Sequence, residues 1–403
     1  VGSERPREVV VVGASLAGVR AAAGLREAGF EGRVTLVGEE PHAPYDRPPL
    51  SKGVLSAKVD QSQLYLDLPE QVEMLLGVKA TALDLARRRL RLVKERQADQ
   101  ELGFDALVVA TGAEPRTLRA LPEGPRVHYL RRLDQALALR QELAASSRLA
   151  VVGAGFIGLE VASSARALGL EVTVIEALPL PLEAVLGSQM GAWLARWHES
   201  KGVRLRLGVP VRGLRRAGGE VCAVELADGS AVEADLVVVG VGVAPCTSWL
   251  EGSGLDIDDG VVCDEGLRAC AGGQPVEFVV AAGDVARWRH PQLGRQLRVE
   301  HWTNAADSGA LASANLLRPA EPLPYCPVPY FWSDQHGAKL QFVGLREPGD
   351  ELAVVDGDLD QERFVVAYGR HGRLVAALGV RRPSRVMALS RQIAEGAAFP
   401  PEL

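Results

Sequence analysis

The stretch "SRLAVVGAGFIGLEVASSARALGLEVTVIEA" (147–177) decides the fold. An apolar run, a glycine turn, a segment of helical period and a second apolar run follow without a gap, which predicts strand, turn, helix and strand. Gly153, Gly155 and Gly158 complete G-x-G-x-x-G directly after the first strand. The first glycine makes the tight turn, the second lets backbone amides approach a pyrophosphate, and the third permits close packing of helix on strand. Glu176 ends the next strand, at about the 20-residue distance expected for an acid that accepts from a ribose 2′-hydroxyl. The following "ALPLP" offers no arginine for a 2′-phosphate, so NADH is favoured over NADPH.

The same grammar occurs earlier, in "REVVVVGASLAGVRAAAGLREAGFEGRVTLVGEE" (7–40), with a strand over 9–12, a helix to about Ala28 and a strand over 34–37. Gly13 and Gly18 stand in place, but Ser15 occupies the middle position, where its Cβ crowds the phosphate and its hydroxyl can donate to it. Glu39 is better placed than Glu40 as the ribose partner, and Glu40 reads as a solvated neighbour. The chain is thus expected to carry a duplicated βαβ unit.

"FDALVVATGAEPR" (104–116) and "ADLVVVGVGVAPC" (234–246) are apolar strands ending in glycine turns followed by proline, as expected where a chain crosses between domains. "FVVAAGDVAR" (278–287) delivers Asp284 to the carboxyl end of a buried strand, where open α/β sheets place ligand contacts and an acid can bind polyol hydroxyls. A helix N-cap is its other reading.

Composition bounds the rest. A chain of 403 residues exceeds one core and suggests two or three domains. An apolar fraction of 47% is that of an ordinary globular protein, and a net charge of −6 argues against a general nucleic-acid binder. The longest apolar run is broken by glycines and too short to cross a bilayer. The N-terminus shows no signal pattern and no initiator Met, so a trimmed, cytoplasmic protein is expected. Cys222, Cys246, Cys263, Cys270 and Cys326 include no C-x-x-C and no C-x4-C, so neither a redox disulfide nor a metal site is signalled. His301 and His336 read as hydrogen-bonded structural histidines.

With both glycine turns, "ATGAEP", "AAGD" and "YDRPPLSK" in view, the chain resembles the flavoprotein NADH-dependent ferredoxin reductases. "PYFWSDQHGAKLQFVG" (329–344) is similar to that family's C-terminal signature. The resemblance implies an α/β fold with two Rossmann-like dinucleotide-binding domains of the glutathione-reductase type plus a C-terminal α+β domain. The implied division is an FAD-binding domain over 1–113 and 245–318, an NADH-binding domain over 114–244 and a C-terminal domain over 319–403. FAD contacts implied at matching positions are Gly13, Ser15, Ala17, Gly18, Glu39, Arg47, Lys52, Ala80, Arg131, Asp284 and Trp302. NADH contacts are Gly153, Gly155, Ile157, Gly158, Glu176 and Gly242.

Where glutathione-reductase-like relatives carry a cysteine pair before a lysine, this chain has "PYDRPPLSKGVL" (44–55). Electrons are therefore expected to leave the flavin directly. Pro48 and Pro49 fix φ at the start of a helix, which would hold Lys52 in its first turn. The resemblance places Lys52 against flavin N5 and pairs it with Glu160. A unit charge at about 4 Å in an effective dielectric near 20 is worth roughly 4 kcal/mol gross. That could raise a two-electron potential by up to about 90 mV, less what Glu160 cancels.

The implied reaction is hydride transfer from NADH to the flavin, then single-electron delivery to an iron-sulfur ferredoxin serving a monooxygenase or dioxygenase. Ferredoxins are usually acidic, so a local basic face is expected to steer them. Candidates are Arg287, Arg289, Arg295 and Arg298, and Arg381, Arg382 and Arg385; a solvated surface is the alternative for each. "ARRRLRL" (86–92) reads as a hairpin turn into a strand, with solvated arginines. Trp332 is expected either at the flavin edge, as a catalytic electron relay, or packed between domains. A monomer or weak dimer is expected. Reduction of rubredoxin or another small acceptor stays open, as does a slow-turnover redox-binding protein like apoptosis-inducing factor. A peroxide-type NADH oxidase would need a redox cysteine near the flavin.

Overall fold

A computed structural model describes residues 6–401, which form two compact units. The first comprises the chain up to Asp46, Leu64–Glu114 and Ala244–Pro329. The second comprises Arg47–Gln63, Pro115–Val243 and the chain from Tyr330 onward.

The first unit is built on a nine-stranded sheet. Its parallel part runs, in spatial order, Gln274–Ala281, Ala106–Val109, Glu8–Val12, Arg33–Gly38 and Val72–Leu76. Val9 pairs with Val34 on one side and Ala106 on the other. Val9, Val10 and Val11 are wholly buried. An unbroken valine run is what a parallel strand covered on both faces requires, since neither face may present polar groups to water. Helix α1 (Leu16–Glu27) follows the first glycine turn. An antiparallel sheet of Val78–Asp84, Arg89–Lys94 and Gln100–Gly103 joins this unit. The hairpin expected at 86–92 is present, but its arginines are not all merely solvated. The Arg88 guanidinium lies 4.0 Å from the Phe278 ring centroid, where the aromatic face attracts a cation.

The second unit repeats the arrangement with a five-stranded parallel sheet ordered Val203–Leu207, Glu171–Glu176, Arg148–Val152, Leu236–Val239 and Val127–Tyr129. Helices α2 (Leu133–Ala144), α3 (Phe156–Ala167) and α4 (Glu183–Ser200) belong to it. A five-stranded antiparallel sheet completes the unit, ordered Tyr330–Gln335, Ala338–Gly344, Arg373–Val380, Arg363–Arg370 and Glu351–Asp358. Phe156 of α3 packs on Phe331 with centroids 4.4 Å apart, and Trp193 of α4 meets Phe364 edge-on at 4.9 Å. Aromatic packing thus fixes both helices to this sheet.

The remaining helices are α5 (Trp302–Leu316), in the first unit, and α6 (Pro383–Ala394), which covers the antiparallel sheet. Helix α5 packs on α1 through small residues. A Cβ at Gly309 would sit 2.4 Å from the Ala17 carbonyl oxygen, and one at Gly24 would sit 2.4 Å from the Ser313 hydroxyl. Close approach of the helix backbones leaves no room for a methyl. Gly309→Ala is therefore expected to lower stability by about 1–3 kcal/mol, measured by urea denaturation. An unchanged midpoint would show that the helices do not pack this tightly.

Candidate functional site

In the first unit, the carboxyl ends of three parallel strands gather most of the candidate groups. The strand Glu8–Val12 delivers Gly13, which has φ +121 and whose Cβ would lie 2.0 Å from the Ala110 carbonyl oxygen. A Cβ at Gly18 would strike the Gly13 carbonyl oxygen at 1.8 Å. Both glycines are thus demanded by the fold itself. Ser15 is the N-cap of α1 with extended backbone, and Ala17 lies buried in the first turn. Glu39 follows the strand Arg33–Gly38 directly and pairs with Lys79 at 3.1 Å, which brings the neighbouring, buried Ala80 to the same end. Glu40 differs from its expected solvated role, since it is half-buried and accepts the Tyr45 hydroxyl at 2.5 Å. Asp284 lies within the single turn Gly283–Val285 that follows Gln274–Ala281, and Ala282 is that turn's N-cap. Trp302 opens α5, its indole donating to Asp46 Oδ1 at 2.6 Å. His301, half-buried, is held down to about 4 by desolvation against the opposing charge of Asp284.

This edge fits the adenosine and pyrophosphate end of a dinucleotide. The central strand's neighbours, Ala106–Val109 and Arg33–Gly38, lie to either side, the reversal of strand order at which such sheets bind ligands.

The second unit has the same construction with a telling difference. Gly153 has φ +102, and a Cβ there would lie 2.3 Å from the Gly240 carbonyl oxygen. A Cβ at Gly158 would lie 2.2 Å from the Gly153 carbonyl oxygen. At Gly155 nothing comes nearer than 3.9 Å, and its backbone, φ −78 and ψ 178, suits any residue. The protein does not need that glycine, whereas a phosphate approaching the backbone does. Glu176 Oε2 accepts from the Ala154 amide at 2.7 Å, which holds the acid at the mouth of the turn. Ile157 is exposed beside it, and Gly242, φ +93, closes the turn after Leu236–Val239. These residues fit a second dinucleotide.

Also in the second unit, Glu160 of α3 is buried and accepts from three side chains. Its Oε2 receives Lys52 Nζ at 2.8 Å and Ser51 Oγ at 2.5 Å, and its Oε1 receives Ser333 Oγ at 2.5 Å. Lys52 Nζ also donates to the Pro48 carbonyl at 3.0 Å. Lys52 does not sit in the first turn of a helix, as expected. Pro48–Ser51 is a single 3-10 turn and Lys52 follows it as the C-cap, with φ −125 and ψ −97, so the helical backbone ends before the lysine. Arg47 donates to the Arg131 carbonyl at 2.7 Å, so Arg47, Lys52 and Arg131 belong to the second unit, and the other residues matched to FAD belong to the first.

A chain of polar groups continues from Glu160. Gln335 Nε2 donates to Ser333 Oγ at 2.9 Å, Gln335 Oε1 lies 2.8 Å from His198 Nε2, and His198 Nδ1 lies 3.1 Å from His336 Nε2. Sequence reasoning missed Ser51, Ser333, Gln335 and His198. The available signal was the alternation in "FWSDQ", which turns Phe331, Ser333 and Gln335 to the buried face. Trp332 occupies the opposite face, stacked on Tyr330 at 6.0 Å with Lys339 Nζ 5.7 Å from its ring.

None of the five cysteines is in a disulfide, and burial pushes the Cys263 and Cys270 thiols up, away from nucleophilic use. Among the described residues, no group of three or more His, Cys, Asp or Glu is arranged to hold a metal, and no helix is long and apolar enough to cross a membrane. Most arginines of the two clusters have acidic partners. Arg287 pairs with Asp258, Arg289 with Glu265, and Arg298 with Asp259 and Glu300. Arg381 and Arg382 are drawn to Glu362 and Asp356. Acids distant in sequence cancel most of the charge.

Burial pushes His198 down to about 4. An unfolded histidine binds its proton near pH 6.5, so the folded state is disfavoured as pH falls from about 6.5 to about 4, by roughly 3 kcal/mol for this group. NMR titration is expected to show a neutral His198 ring down to about pH 4, alongside unfolding free energy falling over the same window. A ring that protonates near pH 6.5 would contradict its burial.

The pattern of the pyridine nucleotide-disulphide oxidoreductases matches residues 7–309, and that of the reductase C-terminal domain matches residues 330–403. The chain is 36% identical to rhodocoxin reductase of Rhodococcus erythropolis, over 98% of this chain and 91% of that protein. It is 37% identical to the ferredoxin–NAD(+) reductase component of the anthranilate 1,2-dioxygenase system of Burkholderia cepacia, over 98% and 95%. The crystal structure of the covalent putidaredoxin reductase–putidaredoxin complex matches with a TM-score of 0.90 at 33% identity, covering 98% of this chain and 94% of that one.

Proposed function

The chain belongs to the pyridine nucleotide-disulphide oxidoreductase family, and from that premise we propose that it passes electrons from NADH through FAD to an iron-sulfur ferredoxin supplying an oxygenase. One observation carries the reading. The segment where disulfide-reducing members keep a cysteine pair holds Asp46, Arg47 and two prolines, and the lysine beyond it is locked to a buried glutamate. With no thiol relay in that segment, the outlet for electrons is the flavin itself.

FAD, when bound, accepts electrons as a hydride and surrenders them one at a time. The first cradle, Gly13 to Gly18 with Glu39 and Asp284, takes FAD, and the second, Gly153 to Gly158 with Glu176, takes NADH. Glu176 accepts from the ribose 2′-hydroxyl and repels a 2′-phosphate. Lys52 holds a positive charge against the flavin ring, and Glu160 fixes where that charge sits. Trp332 is assigned to the flavin edge that meets the partner. Docking is assigned to the α6 side of the C-terminal sheet, where Arg385 is exposed while Arg381 and Arg382 are paired with acids. A three-domain division, with the NADH-binding and C-terminal parts as separate domains, is the natural reading of these roles.

Steady-state reduction of a panel of ferredoxins and rubredoxins, with NADH and NADPH compared, tests the reading. Fast NADH-dependent reduction of a ferredoxin is expected, with at least a tenfold preference over NADPH. Fast reduction of rubredoxin alone would reassign the acceptor, and slow turnover with every acceptor would favour a redox-binding role. Gly155→Ala separates ligand from fold. It is expected to raise the NADH KM at least tenfold with an unchanged melting temperature, whereas an unchanged KM would remove NADH from this turn.

A further inference from the structure

The hydrogen bonds around Glu160 have a direction, and it can be followed residue by residue. A carboxylate accepts and does not donate, so the single proton of Ser333 Oγ points at Glu160 Oε1. Ser333 Oγ can then only accept from Gln335, which turns the amide nitrogen toward the serine and the amide oxygen toward His198. That oxygen requires a proton on His198 Nε2, which leaves Nδ1 as an acceptor and requires His336 Nε2 to donate. One negative charge on α3 thus fixes an amide orientation and two histidine tautomers. Ser333 and His198 are wholly buried and Gln335 is 1% exposed, so water cannot substitute for the links from Glu160 to His198, and the chain ends on half-buried His336. A buried chain satisfied at every member is rigid, and a chain broken at one member leaves its neighbours unpaired.

We propose that Ser333, held by Gln335 and His198, is a positioning residue for the Lys52–Glu160 pair, so that the C-terminal sheet sets how much of the lysine's charge reaches the flavin. The step rests on the reading that Lys52 lies against the flavin ring. Glu160 divides its two oxygens between Ser333 on one side and Ser51 with Lys52 on the other. With the Ser333 proton gone, Oε1 loses its donor and the carboxylate turns to share Lys52 across both oxygens. The ammonium is then drawn toward the glutamate and away from charge developing on the ring. Ser333 is wholly buried with its hydroxyl on Glu160, so it acts through that carboxylate.

The experiment compares the midpoint potential of bound flavin in wild type, Ser333→Ala, Ser333→Thr and Lys52→Met, with Ser333→Ala repeated in a Glu160→Gln background. Ser333→Ala is expected to shift the reduced-to-oxidised flavin ratio about tenfold toward the oxidised form, which is about 30 mV for a two-electron couple. Ser333→Thr restores it, and the substitution has no effect in the Glu160→Gln background. Nitrogen-15 NMR of the flavin-free protein is expected to find His198 and His336 both protonated on Nε2. A potential that moves in Lys52→Met but not in Ser333→Ala overturns the inference and leaves the proposed function standing, as does a His198 protonated on Nδ1. A potential unmoved by Lys52→Met instead defeats the placement of Lys52 at the flavin, and the inference falls with it.

Discussion

The ion pair between Lys52 and Glu160 is the constraint on which the proposed chemistry of this protein depends. Taking a carboxylate out of water costs several kcal/mol, and one partner at 2.8 Å does not offset that cost unless the remaining lone pairs are also satisfied. Here two serine hydroxyls from separate parts of the chain supply further donors, one to each oxygen. The pair is therefore a fixed charge distribution rather than a mobile surface contact. Its lysine side chain is partly exposed while its glutamate is almost fully covered, so the positive end is the one presented outward.

The scaffold explains how so costly a pair is held. Glu160 lies on the helix that starts at the second glycine turn, and the central strand of the parallel sheet aims that helix. Phe156 and Phe331 lock the same helix to the antiparallel sheet, and the two-residue alternation of Tyr330–Gln335 presents Ser333 and Gln335 inward. Secondary-structure periodicity thereby becomes electrostatics. The helix sets the height of the carboxylate, and the strand sets the spacing of the groups that hold it.

Much of this architecture was legible in the chain itself. Valine runs bounded by glycine turns can be little other than buried parallel strands, and the steric demands at Gly13, Gly18, Gly153 and Gly158 are written into the motif. The pairing of Lys52 with Glu160 came from family resemblance, since 108 residues separate them and no local rule joins them. The partners that complete the pair were not legible. Ser51 meets Glu160 across 109 positions, Ser333 across 173, and Gln335 reaches His198 across 137. The alternation of "FWSDQ" turns Ser333 and Gln335 inward, but no local pattern names the groups they meet there. The partners of the arginine clusters were hidden for the same reason, since Asp258 pairs with Arg287 across 29 positions and Asp259 with Arg298 across 39, although Glu300 stands beside Arg298 in sequence. Local charge runs say little about a folded surface until their partners are known.

A double-mutant cycle on folding stability tests the central claim most directly, using chemical denaturation of wild type, Lys52→Met, Glu160→Gln and the double variant. A fixed buried pair predicts that Lys52→Met alone costs about 3–5 kcal/mol, because it strands a buried carboxylate. It also predicts that the double variant recovers part of that loss, with a coupling of about 2 kcal/mol. Additive losses from the two single substitutions would contradict the account.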